Sequence, residues 1–168
     1  MQYSYKEYNK EDHDLFYALT VKQPYADRLV TLSKKDGNGI FYAEKSVEIR
    51  RKPTKYRGDV LICSAVEPVI PHLTSGAAIG LAELYDVKPL IELTETEWND
   101  TTIPEAERAK YKNGYAWFFR NPRRVIEMPV RGQLGIYRIA YSKDEIVEYP
   151  QICKVGDWTE IEKQIKTK

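Results

Sequence analysis

Leu15 to Val30 reads LFYALTVKQPYADRLV, and the change of pattern inside it sets the fold to expect. Leu15 to Val21 is an apolar, β-favouring run of strand length. Gln23-Pro24-Tyr25 then interrupts it. Proline holds φ near the helical value and lacks an amide that a helix start leaves unused, so it suits the first position of a short helix through Ala26, Leu29 and Val30. The rest of the chain returns to strands. Lys34 to Gly39 (KKDGNG) is a turn-rich loop, and Lys45 to Arg50 (KSVEIR) alternates with strand period, putting Val47 and Ile49 on the core side and Ser46, Glu48 and Arg50 opposite. Gly58-Asp59 turns into Val60 to Ala65, apolar on both faces and therefore central. After the proline-broken Glu67 to Ser75 loop, a long strand spans Ala77 to Val87, with Gly76 and Gly80 marking bends or close backbone approach. Thr94-x-x-Glu97 is a capping box, and Ile103-Pro104 begins another helix. Tyr115 to Phe119, an Asn121-Pro122 turn, Arg124 to Val130 and Leu134 to Ala140 supply the remaining strands, before a capped helix from Asp157. One early helix and no regular βα alternation point to an α+β fold, a small β-barrel of roughly five to six mostly antiparallel strands with flanking short helices.

At 168 residues the chain is expected to form one domain, with 42% hydrophobic and 30% charged residues as in ordinary globules. The polar N-terminus has no signal-peptide pattern, no apolar run spans a membrane, and Cys63 and Cys153 lie outside any CxxC spacing. A cytoplasmic protein without metal or other cofactor is the expectation. His13 and His72 are read as loop residues with no ligand-type neighbours. The net charge is only +1, yet its distribution is uneven. Lys45 to Arg57 carries six bases against Glu48 alone, Arg120 to Arg131 holds four arginines, and Glu92 to Glu107 holds six acids and no base. Were the two basic stretches adjacent, they would attract phosphates. Thirteen tyrosines serve strands and cores and offer faces on which bases stack.

In order, Leu19-Thr20-Val21-Lys22-Gln23-Pro24-Tyr25-Ala26, Lys45-Ser46-Val47-Glu48-Ile49-Arg50, Ala78-Ile79-Gly80-Leu81-Ala82-Glu83-Leu84 and Tyr115-Ala116-Trp117 resemble the ASCH domain family, a relative of the PUA domains of RNA-modifying enzymes. The likeness covers roughly residues 15–140, leaving 141–168 as a C-terminal strand and helix extension. It implies a PUA-like barrel with a cleft between the Gln23-Pro24 helix and the Lys45–Arg50 strand. It also implies a ligand that is RNA, a nucleotide or a nucleoside. Some small family members are amidohydrolases that deacetylate N4-acetylcytidine or cleave RNA, so a metal-independent hydrolase is the alternative; an adaptor using the acidic Glu92–Glu107 helices is a third reading. Two departures stand out. A loop from Ser33 to Glu44 replaces the usual short glycine turn, and Glu48 stands where the amidohydrolases carry a second threonine.

The ligand-binding residues implied are Gln23, Pro24, Tyr25, Lys45, Glu48, Arg50, Ser64 and Trp117. Glu48 would accept from an exocyclic amine, Arg50 would fork onto a phosphate or carbonyl, and Tyr25 or Trp117 would stack. Arg51, Lys52, Lys55, Arg57, Arg123 and Arg124 would contact phosphates. For a hydrolase the catalytic set would be Lys45, Ser46 and Glu48. Desolvation would free the lysine of its proton while the carboxylate opposes that loss. The plain alternatives are a strand ion pair for Glu48 and Arg50, core packing for Tyr25 and Trp117, and a backbone-bonded hydroxyl for Ser64.

Overall fold

The computed structural model describes residues 1–149; the capped helix expected from Asp157, and Cys153, lie outside the described residues. In chain order the elements are β1 (Gln2–Ser4), β2 (His13–Val21), α1 (Tyr25–Val30), β3 (Leu32–Lys35), β4 (Phe41–Ala43), β5 (Val47–Arg50), β6 (Gly58–Ser64), β7 (Ala77–Pro89), α2 (Glu95–Asn99), β8 (Tyr115–Pro129), β9 (Ile136–Ser142) and β10 (Glu148–Tyr149). Eight strands form one sheet in the order β1-β9-β2-β6-β7-β8-β10, with β5 also on β8, while β3 and β4 form a separate hairpin. The β2–β6 pair is parallel and the other pairs are antiparallel. The α+β class therefore stands. The expected barrel is corrected: among the described residues no pairing joins β1 to β10, so hydrogen bonding leaves the sheet open. The strand number also exceeds five to six.

The sheet bends because β7 and β8 pair through three register shifts, each adding local twist. One of these absorbs the expected Asn121-Pro122 turn. Asn121 takes φ 52, a left-handed conformation that asparagine tolerates, and Pro122 lacks the amide a regular ladder would use. Both residues therefore sit within one continuous fifteen-residue strand. The Ser33–Glu44 insertion is likewise not a plain loop but the β3–β4 hairpin around Asp36–Gly39. Of the expected helices, α2 carries the Thr94–Glu97 capping box, whereas Glu105–Lys110 forms a 3-10 helix. His13 begins β2 and stacks on Tyr3 at 4.2 Å, so it is not a loop residue.

Both faces of the sheet are covered. Leu29 and Val30 of α1 pack with Leu19, Ile62, Ile79 and Phe119 on one side, and Leu61, Val125, Ile139 and Tyr141 fill the other. Each such buried side chain contributes about 1.5–3 kcal/mol. The helix comes close because Gly80 leaves room: a Cβ there would stand 2.6 Å from Val30 Cβ and 2.5 Å from the Arg123 carbonyl. Pro24 sits one residue ahead of its expected place, as the N-cap of α1, and its peptide bond to Gln23 is cis. No helix of the described residues is long and apolar enough to cross a membrane.

Candidate functional site

The site begins with β5, a short strand whose other backbone bonds go outside the sheet. Lys45 N–H donates to the Arg28 carbonyl of α1, and the Ser46 and Val47 amides both donate to the Asp100 carbonyl after α2. Packed from both sides, β5 buries its polar face up to Glu48, and only Arg50 at its end reaches open space. Val47 is buried as expected, but so are Lys45, Ser46 and Glu48, whereas Ile49 lines an open cleft and not the core. Strand alternation separates two faces without saying what covers them, and here α1 and the turn after α2 cover the polar one.

Lys45 is fully enclosed. Its ammonium donates to the Thr101 carbonyl at 2.6 Å, lies 3.5 Å from Glu48 Oε1 and stands 5.0 Å from the Tyr25 ring centroid. Burial pushes its pKa below the ordinary value, the Glu48 carboxylate opposes that shift, and Arg28 reinforces it. Tyr25 is half-buried, with the Arg28 guanidinium 5.6 Å from its ring centroid. Lys45, Glu48 and Tyr25 thus form one enclosed cluster. Ser46 is held in the ladder, its carbonyl accepting from the Phe119 amide at 2.8 Å.

The other residues expected at the ligand have structural partners. Gln23, 2% exposed, accepts from the Asp27 amide and donates to the Thr74 carbonyl, both at 2.9 Å, so its side chain clamps α1 to the Glu67–Ser75 loop. Ser64 bonds both the amide and the carbonyl of Ala77 at 3.3 Å. Trp117 belongs to the core, with Nε1 donating to the Lys52 carbonyl at 3.1 Å, and borders the cleft while 3% exposed.

That cleft, of about 1060 Å³, opens beside the Arg50 end of β5 and not between α1 and β5. Its walls are Ile49–Thr54, the Lys110–Asn113 turn, Trp117 and Leu134–Ile136. Gly114 brings the second wall in. With φ +156, it places a would-be Cβ 2.8 Å from the Arg50 carbonyl, an approach closed to other residues. Five cations line the space, Arg50, Arg51, Lys52, Lys110 and Lys112, and among the described residues no carboxylate does. Arg50 reaches the Thr20 carbonyl at 3.5 Å. Tyr111 joins cleft to cluster: burial raises its pKa, and the nearby Tyr25 and Glu48 raise it further.

The expected phosphate contacts divide. Arg51 and Lys52 line the cleft, Lys55 is exposed nearby in sequence, and Arg57 turns back onto the Thr54 and Tyr56 carbonyls at 2.8 Å. Arg123 is ion-paired with Asp59 and Glu148, and Arg124 with Asp27. Sequence reasoning missed Lys110, Tyr111, Lys112 and Leu134. The Lys-Tyr-Lys triplet was a usable signal, a basic–aromatic alternation directly after the acidic segment.

A bent α+β sheet with a cationic cleft at one strand end is the class of protein that fold and site define. The ASCH domain model matches residues 19–130, more than half of the chain, and the chain belongs to that family. Among curated proteins none matches this sequence.

Proposed function

We propose that the protein binds RNA or a nucleotide in the cleft beside β5. The observation that carries this reading is the lining itself, five cations with no carboxylate among the described residues, flanked by Tyr111. Charges held together without acidic partners repel one another, and a polyanion relieves that repulsion while releasing its own counterions. Tyr111, 38% exposed, offers a ring on which a base can stack. ASCH membership is consistent with such a ligand. The test is titration of a single-stranded RNA over a range of salt. Three neutralised phosphates give a slope of log K against log salt of about −2, and absent or salt-independent binding overturns the reading.

The hydrolase alternative has one observation in its favour, the depressed pKa of Lys45 beside Glu48. A lysine with no exposed surface reaches a substrate only if Tyr25 or the Thr101 turn, which stand against its ammonium, moves aside. Incubation with N4-acetylcytidine and short RNAs, read by mass spectrometry, decides it. Conversion by the parent protein and not by a folded Lys45→Ala variant supports the hydrolase; no conversion removes it for those substrates. The adaptor reading is weaker still, because three of its acids are already ion-paired, Glu95 with Arg108, Glu97 with Lys88 and Asp100 with Lys34.

A further inference from the structure

Leu134 borders two spaces at once. It lines the 1060 Å³ cleft and also a second pocket of about 320 Å³, and 98% of its surface is exposed. A single exposed leucine needs no explanation on its own, but this one stands where two chemically different pockets meet. The large cleft is cationic. Among the described residues the small one has no charged lining; Thr20, Ser64 and Gln133 supply polar groups, and Val66 and Val130 supply apolar surface. Its wall is firmly set. A Cβ on Gly132 would stand 2.7 Å from Thr20 Oγ1, and that hydroxyl is held by the Tyr137 hydroxyl at 2.8 Å.

Resting on the reading of the cleft as a nucleic-acid site, we infer that the ligand is a single strand of at least two nucleotides, with Leu134 inserted between adjacent bases. Phosphates lie on the cations of the large cleft, and the next base or sugar enters the uncharged pocket past Leu134. Two arguments carry this. Pockets for drug-sized ligands span about 300–1,000 Å³, so each of the two spaces is of a size to hold a ligand unit of its own. An apolar side chain placed between steps of a strand unstacks neighbouring bases and holds them apart, whereas a lone nucleotide has no second base for it to separate.

The experiment compares uridine triphosphate, a highly charged single nucleotide, with 5′-phosphorylated di- and triuridylate by titration calorimetry, in the parent chain and in Leu134→Ala and Leu134→Met. Because the side chain is almost wholly exposed, neither substitution should disturb folding, and thermal unfolding checks that. The oligonucleotides should bind about tenfold more tightly than uridine triphosphate, which is 1.4 kcal/mol. Leu134→Ala should cost the oligonucleotides about tenfold more affinity than it costs uridine triphosphate, removing that advantage, and Leu134→Met should retain it. Equal binding of the mononucleotide and the oligonucleotides, or equal weakening of both by Leu134→Ala, overturns the inference while leaving the cleft reading in place. Failure of every probe to bind overturns both.

Discussion

Two basic regions of this chain look alike in sequence and behave differently in the fold. Arg120, Arg123 and Arg124 on β8 are each ion-paired, with Glu83, with Asp59 and Glu148, and with Asp27, and Arg124 also donates to the Thr31 hydroxyl at 2.9 Å. The cations of the cleft, Arg50, Arg51, Lys52, Lys110 and Lys112, face open space with no acid among the described residues that line it. The first group ties α1, β6, β7 and β10 to β8. The second is available to a ligand. A count of positive charge along a sequence therefore measures nothing about ligand binding until the partners are known.

The largest effect should come from Gly80→Ala. It drives a methyl group into the Val30 side chain and the Arg123 carbonyl, forcing α1 away from β8 and breaking the approach that lets Arg124 reach Asp27. Denaturant unfolding should show a loss of about 3 kcal/mol, at the upper end of overpacking costs. Unchanged stability would mean that the close packing of the paired region does not matter. Next in size is Arg124→Ala. Because Asp27 loses its partner in a half-buried setting, stability should fall by about 2 kcal/mol with RNA affinity unchanged; an affinity loss would move Arg124 into the binding face.

Arg51→Glu together with Lys52→Glu should do the reverse. Both side chains are exposed, so stability should change by less than about 0.5 kcal/mol, while RNA affinity falls about tenfold and the salt slope shrinks by about 0.7 for each phosphate that is no longer neutralised. A change in stability without a change in affinity would erase the contrast between the two regions.

A further effect is a pH dependence at Lys45. Its folded pKa lies below the ordinary 10.5, so between the two values the unfolded chain binds the extra proton and stability rises with pH. The slope for one proton is at most about 1.4 kcal/mol per pH unit. Approaching pH 10 the buried tyrosines act oppositely: Tyr85 is pushed up to about 12, and Tyr137 and Tyr141 are raised too, all by burial, so unfolding there releases protons and stability falls. Lys45→Met should flatten the rise below the tyrosine range, and an unaltered profile would show that the enclosed lysine keeps its proton throughout.

Much of this was legible in the residues. The Leu15–Val21 strand, the short helix after Gln23-Pro24, the central Val60–Ser64 strand, the Thr94–Glu97 capping box and the close approach at Gly80 all follow from local rules, because strand period, proline chemistry, side-chain capping and the missing Cβ act over a few neighbouring residues. The motif order was enough for the family. The open edge of the sheet, the continuity of β8 through Asn121-Pro122, the enclosure of Lys45 and Glu48, and the sorting of arginines into paired and free depended on contacts between segments tens of residues apart. Asp27 and Arg124 are separated by 97 positions and Lys45 and Thr101 by 56. Periodicity within a strand says which side chains share a face, and only the packing of α1, the turn after α2 and the Lys110–Asn113 turn against β5 decides whether that face meets water, a carboxylate or a ligand.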